Sequence, residues 1–253
     1  MPRARKRDRA ARGVRRGVGC LVMLAAAALL GLLGYGWLVR HPEDTPWAPL
    51  DLAQPVGMFT RAKLVRLTED FAQCRTLLDH AGVGYTVLPP IAEGASCGYA
   101  DGLRFRPGEP RITPFLPERL GVACPVAAAL ALWQWEVVQP AAERHFRMRV
   151  TRIEHLGSYN CRRLYGRSGG DYSQHATADA VDISGFRLAD GTRITLVGDW
   201  TKGGARAAFL REVRDGACGV FATVLSPDYN AAHRDHLHLD QANRGSMSWG
   251  ACR

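Results

Sequence analysis

Histidine and carboxylate side chains crowd into two short runs of this chain, Ser173-Gln174-His175-Ala176-Thr177-Ala178-Asp179-Ala180-Val181-Asp182 and His233-Arg234-Asp235-His236-Leu237-His238. Neutral imidazole and carboxylate are ligands suited to zinc, and a catalytic zinc takes three protein ligands and keeps a fourth position for water. His175, Asp182 and His238 supply such a set. A lone histidine has many uses that are not catalytic. Four of the chain's eight histidines fall in these two runs, however, and several converging donors are what a metal site requires.

The elements that must carry these side chains are strands. Ala178, Ala180 and Asp182 alternate with Asp179, Val181 and Ile183, so a strand turns Asp182 to one face and packs Val181 and Ile183 on the other. His236 and His238 alternate with Leu237 and Leu239, and the same period of two sends both imidazoles to one side. A strand over Asp235 to Asp240 is therefore expected beside the Asp182 strand.

Ser173-x-His175 with Ala180-x-Asp182 and His236-x-His238 resembles the pattern of the lysostaphin, D-Ala-D-Ala metallopeptidase and hedgehog group. His233-x-x-His236-x-His238 resembles the histidine spacing of penicillin-insensitive murein endopeptidases. More narrowly, Ser158-Tyr-Asn-Cys161-Arg162, Asp182-Ile-Ser-Gly-Phe186, Pro227-Asp-Tyr-Asn230 and Asp235-His-Leu-His-Leu-Asp240 resemble the bacterial extensin-like C-terminal domain family, over roughly residues 60 to 253. The resemblance implies zinc on His175, Asp182 and His238 and hydrolysis of peptidoglycan peptides. As general base it offers Asp235, where the carboxypeptidase relatives carry a glutamate, or His236 and His233, which match the endopeptidase relatives; His236 ranks first, Asp235 second and His233 third. It also places an arginine loop beside the substrate, where Arg162 would hold a carboxylate through a two-point hydrogen bond, with Tyr159 and Ser173 as further substrate-binding candidates. One departure stands out: the superfamily commonly has glycine three residues after the first histidine, and this chain has Ala178, which disfavours positive φ.

The chain opens with a basic flank, residues 1–16, holding eight Lys or Arg and one acid. An uncharged run, residues 17–39, follows and is long enough to cross a bilayer. A cleaved signal would have a shorter apolar region and a small-residue cleavage site, so a single uncleaved transmembrane helix is expected. Its positive flank stays in the cytoplasm and the remaining chain faces the periplasm from the inner membrane. Outside that flank the charges nearly balance, 25 basic to 23 acidic, which argues against a nucleic-acid partner despite the high pI. Residues 40–59, with Pro42, Pro46 and Pro49, read as a linker, and residues 60–253 as one domain.

Cys74, Cys97, Cys124, Cys161, Cys218 and Cys252 form an even set in an exported domain, which suggests three disulfides. The expected pairing is Cys74 with Cys97, Cys124 with Cys161, and Cys218 with Cys252. Arg61 to Ala81 has helical periodicity, and Pro125 opens a second, nearly all-apolar helix carrying Trp133 in the core and Trp135 at its rim. The fold class expected is α+β, an antiparallel sheet with helices on one face and zinc in the open groove. Two functions fit: a zinc peptidase acting on peptidoglycan stem peptides or cross-links, and a wall-binding or structural module that keeps zinc without turnover.

Overall fold

The computed structural model describes residues 2–245 and 251–253 of the chain. In chain order the helices are α1 (Pro2–Arg40), α2 (Thr60–Arg66), α3 (Phe71–His80), α4 (Cys124–Trp133), α5 (Gln139–Phe146), α6 (Leu196–Asp199) and α7 (Gly204–Ala217). The strands are β1 (Tyr85–Val87), β2 (Ile91–Ala92), β3 (Gly98–Tyr99), β4 (Gly102–Phe105), β5 (Phe115–Leu116) and β6 (Val122–Ala123), then β7 (Val150–Gly157), β8 (Ala180–Leu188), β9 (Arg193–Thr195), β10 (Thr223–Leu225), β11 (Leu237–Asp240) and β12 (Ala251–Cys252). The mixture is α+β. Its main sheet runs β12-β10-β11-β8-β7-β5, with β9 paired to β8. Its pairings are antiparallel except β5 with β7 and β10 with β12. A three-stranded sheet, β1-β4-β6, and the hairpin β2-β3 stand apart.

The core lies between the main sheet and α4, α5 and α7. Trp133 packs on Phe186 of β8 and donates its indole N–H to the Val213 carbonyl of α7 at 2.9 Å, and Phe209 meets Phe186 with ring centres 5.1 Å apart. Alternation along β8 holds through Ile183 and then slips. Ile183 pairs with His155 and Gly185 with the adjacent Glu154, so Ser184 is an extra residue, a bulge. The slip lets Val181, Ile183, Phe186 and Leu188 all face the core while Asp182 keeps only a small part of its surface exposed. Gly185 is required where β9 crosses closely, since a Cβ there would sit 2.7 Å from the Ile194 carbonyl oxygen.

The helix expected over residues 61–81 is broken. Asp70 leaves the helical conformation (φ −142°, ψ 85°) and caps α3 by accepting from the Gln73 N–H at 2.8 Å, while Leu64, Leu67, Cys74 and Leu78 remain buried. The break costs the periodicity nothing, which is why the pattern alone concealed it. Pro125 does open α4, and the helix then runs on through a π-turn over Gln134–Val138 into α5, where Pro140 offers no N–H to a continuing ladder.

Within α1, Val18–Arg40 is long and apolar enough to cross a membrane, a test that signal sequences also pass, and none of it is buried in the molecule. The following segment packs onto the domain: Thr45 and Leu52 are buried, the Met58 N–H donates to Asp44 at 2.7 Å, and the Lys63 ammonium donates to the Pro42 carbonyl at 3.1 Å.

Three disulfides form, and two of the expected pairings are wrong. Cys74 joins Cys124, Cys97 joins Cys161, and Cys218 joins Cys252 as expected. Cys74 and Cys124 are fully buried where α3 packs on α4, and Cys97 lies in the β2–β3 turn beside the loop that leaves β7. Neighbours in sequence were the wrong guide because each helix and hairpin carries its cysteine to a different partner element.

Candidate metal centre

The β8–β11 pairing brings the site together. Asp182 stands directly opposite His238, flanked by the opposed pairs Ile183–Leu237 and Val181–Leu239. Those four apolar side chains are fully buried in the core, so the register that satisfies them turns Asp182 and His238 outward side by side. His175 arrives on a short 3-10 turn, Gln174–Thr177, whose cap is Ser173, its hydroxyl oxygen accepting from the His175 N–H at 3.4 Å. The turn closes with Ala178 in the left-handed region at φ +60°. Glycine fits that backbone without strain; alanine adopts it at a cost of about 1–2 kcal/mol, and the chain path into β8 is kept.

His175 Nε2 lies 3.2 Å from Asp182 Oδ1 and 3.2 Å from His238 Nδ1, and His238 Nδ1 lies 3.0 Å from Asp182 Oδ1. These three atoms make a closed triangle. Tetrahedral zinc with bonds of about 2.0 Å spaces its ligand atoms about 3.3 Å apart, so the triangle has the dimensions of one face of such a site.

Each histidine also has its other nitrogen committed. His175 Nδ1–H donates to the Ser158 carbonyl at 2.6 Å, which leaves Nε2 as the lone-pair atom. Gly157, at φ +128°, makes the turn out of β7 that presents this carbonyl. His238 Nε2–H donates to Asp240 at 3.3 Å, leaving Nδ1 toward the triangle. Ligand histidines elsewhere are commonly held by such a contact on the far nitrogen.

The electrostatics follow from this crowding. Burial opposes a charge on Asp182, but the close contacts that His175 and His238 make with it outweigh burial and hold the carboxyl far below the usual range in the metal-free protein. Burial likewise opposes charge on His238, yet Asp182 and Asp240 on either side push its pKa up to about 9. His233 goes the other way: burial and the nearby His236 and His238 lower it to about 4, with Arg162 adding to the repulsion.

The three candidate bases sit on the rim. His236 precedes β11, which begins at Leu237 and not at Asp235, so strict alternation does not govern the pair. As a result Asp235 and His236 meet: His236 Nδ1–H donates to Asp235 at 2.9 Å, and His236 Nε2 lies 3.5 Å from Asp182 Oδ1. His233 Nδ1–H donates to Asn230 at 2.8 Å, and its ring centre is 5.2 Å from that of His236. Arg162 is half-buried and close enough to act on His233 electrostatically. Tyr159 instead packs edge-on against Tyr99, with ring centres 5.4 Å apart, and Ser173 is occupied as a cap.

Residues that the sequence reading did not assign are Ser158, Asn230, Asp240 and Arg244. Asp240 was findable, because it follows His238 by two and so shares its face of β11. A second donor group, His41, Glu43 and Asp44, lies just after α1. There His41 is paired with Glu43 at 3.0 Å and Asp44 accepts from the Met58 N–H, while Glu43 Oε2 is buried without a hydrogen-bond partner.

The family described as extensin-like protein C-terminus matches the chain over residues 72–253. No curated protein and no solved structure matches it.

Proposed function

The chain belongs to the extensin-like protein C-terminus family, and we propose that it is a membrane-anchored zinc hydrolase that cuts peptide bonds of peptidoglycan, related to the lysostaphin and D-Ala-D-Ala metallopeptidase group. The observation that carries this reading is the triangle of His175 Nε2, Asp182 Oδ1 and His238 Nδ1, with separations of 3.0 to 3.2 Å and the opposite nitrogens tied back. These three residues would hold the metal, leaving one ligand position to water. When bound, zinc supplies a more acidic water and a polarised scissile carbonyl.

The protein's own groups supply the rest. His236 is the general base: its Nδ1–H is fixed by Asp235, so Nε2 carries the lone pair and faces the metal ligands. The proton it takes is returned to the leaving amine. Asp235 thus orients and supports His236 and does not compete with it. His233 stays neutral at physiological pH, and its low pKa keeps a second imidazole beside His236 without adding charge. Arg162 supplies the positive charge that would hold a stem-peptide carboxylate. The basic flank of α1 stays in the cytoplasm, and the domain works from the outer face of the inner membrane.

A second reading has one observation in its favour. His236 Nε2 is near enough to Asp182 that a turn of the ring would make it a fourth ligand, closing the site as a structural zinc in a wall-binding module. Zinc content and turnover of His236→Ala separate the two. The hydrolase reading expects full zinc content with peptide release lost, whereas loss of zinc from this variant would support the structural site. Unchanged zinc content in both His175→Ala and His238→Ala would overturn the ligand set.

A further inference from the structure

Asp240 is a buried carboxylate whose every lone-pair direction is used. It is 1 % exposed. Oδ2 accepts from His238 Nε2–H at 3.3 Å and from Arg244 at 3.1 Å. Oδ1 accepts from the Ala242 N–H at 3.1 Å and from the other arm of Arg244 at 3.1 Å. Arg244 is itself fixed on the neighbouring strand, donating to Thr223 Oγ1 of β10 at 2.6 Å, and Thr223 stands opposite Asp240 in the β10–β11 pairing. Such a two-point guanidinium–carboxylate contact sets the plane of the carboxyl as well as its place. One strand therefore carries His238 and the group that grips its far nitrogen, and a second strand carries the contact that stops that group from turning.

We propose that Asp240, clamped by Arg244, is the positioning residue of the metal centre: it keeps the proton of His238 on Nε2 and aims Nδ1 at the metal. This rests on the metal reading given above. An acceptor of this kind behind a ligand histidine typically carries a 10- to 100-fold share of metal affinity. The competing role is a plain fastener between β10 and β11, which would affect unfolding and leave metal affinity alone.

The test uses the full chain in detergent, with zinc affinity measured by competition against a chelator and the melting of the metal-free protein followed separately. Asp240→Ala is expected to weaken zinc binding about 10- to 100-fold. Asp240→Asn keeps an acceptor oxygen for Nε2–H but loses the charge that Arg244 grips, and should fall between Ala and wild type. Arg244→Gln, at a side chain 43 % exposed, should fold normally and weaken zinc measurably, though less than Asp240→Ala does, by freeing the carboxyl to rotate. Nitrogen-15 imidazole spectra of the zinc-loaded wild type should show an exchange-protected Nε2–H on His238 that Asp240→Ala loses. Wild-type zinc affinity in folded Asp240→Ala and Arg244→Gln, with only melting lowered, would make the pair a fastener and overturn the proposal. A wild type that takes up no zinc would overturn the metal reading itself, and this inference with it.

Discussion

If zinc binds as proposed, the charge on His238 makes its binding a proton-displacing event whose size follows from the structure. In the metal-free protein His238 lies between Asp182 at 3.0 Å and Asp240 at 3.3 Å. Burial disfavours the imidazolium, the two carboxylates more than compensate, and the pKa stands at about 9 against an ordinary 6.5. Zinc needs the Nδ1 lone pair, so below pH 9 one proton must leave as the metal enters. At pH 7 the group lies about two units below its pKa, which lowers the apparent affinity about 100-fold, or about 2.7 kcal/mol, relative to the deprotonated protein. Affinity should therefore rise about tenfold between pH 7 and pH 8 and level off above pH 9. Chelator competition across this range, together with calorimetry at pH 7 in two buffers of different ionisation enthalpy, measures both the slope and the proton count. The expected release is about one proton. A flat affinity between pH 7 and pH 9 with no proton released would refute the argument, because it would mean that His238 is already neutral between its two carboxylates.

Other consequences concern the framework. Asp179 is raised from 3.8 to about 6 by burial, with Asp101 and Asp240 adding to the shift; its ionised form is disfavoured in the fold, so it costs stability above pH 6 and the cost disappears as pH falls below 3.8. That shift corresponds to about 3 kcal/mol, which partial solvent access reduces to about 2, so Asp179→Asn should stabilise the protein by about 2 kcal/mol at pH 8 and by almost nothing at about pH 3 in denaturant titrations. Replacing both Cys74 and Cys124 by alanine opens a loop with a sequence separation of 50, for which chain entropy predicts a loss of ~4 kcal/mol and ~10 °C in Tm; an unchanged melting curve would contradict the pairing. Ala178→Gly relieves the left-handed strain at φ +60° but adds glycine's unfolded-state entropy. A net gain of about 0.5–1 kcal/mol is expected, and destabilisation would show that the buried methyl matters more than the backbone.

The legible part of the site was the part governed by alternation. Val181 and Ile183 against Asp182, and Leu237 and Leu239 against His238, specify one register, and the structure uses it. What alternation could not carry was the point where each strand starts. Beginning β11 at Leu237 frees Asp235 and His236 to meet, a contact that strict alternation over residues 235–240 excludes. The bulge at Ser184 was hidden for a similar reason, since it is set by the partner strand and not by β8's own sequence. The Ser158 carbonyl behind His175 is a backbone atom delivered by a turn, and side-chain patterns are silent on it. The break at Asp70 and the cross-element disulfides depended on packing between segments far apart in the chain. In the fold, the apolar stretch of α1 and the buried α4 were plain in composition alone.

Turnover is the central claim, and one measurement reaches it most directly. The full chain, purified in detergent and shown to hold zinc, would be incubated with purified peptidoglycan and the soluble products analysed by mass spectrometry. New peptide-bearing fragments are expected, and they should disappear with Asp182→Ala and with a chelator. A zinc-replete protein that releases no fragments would contradict the claim.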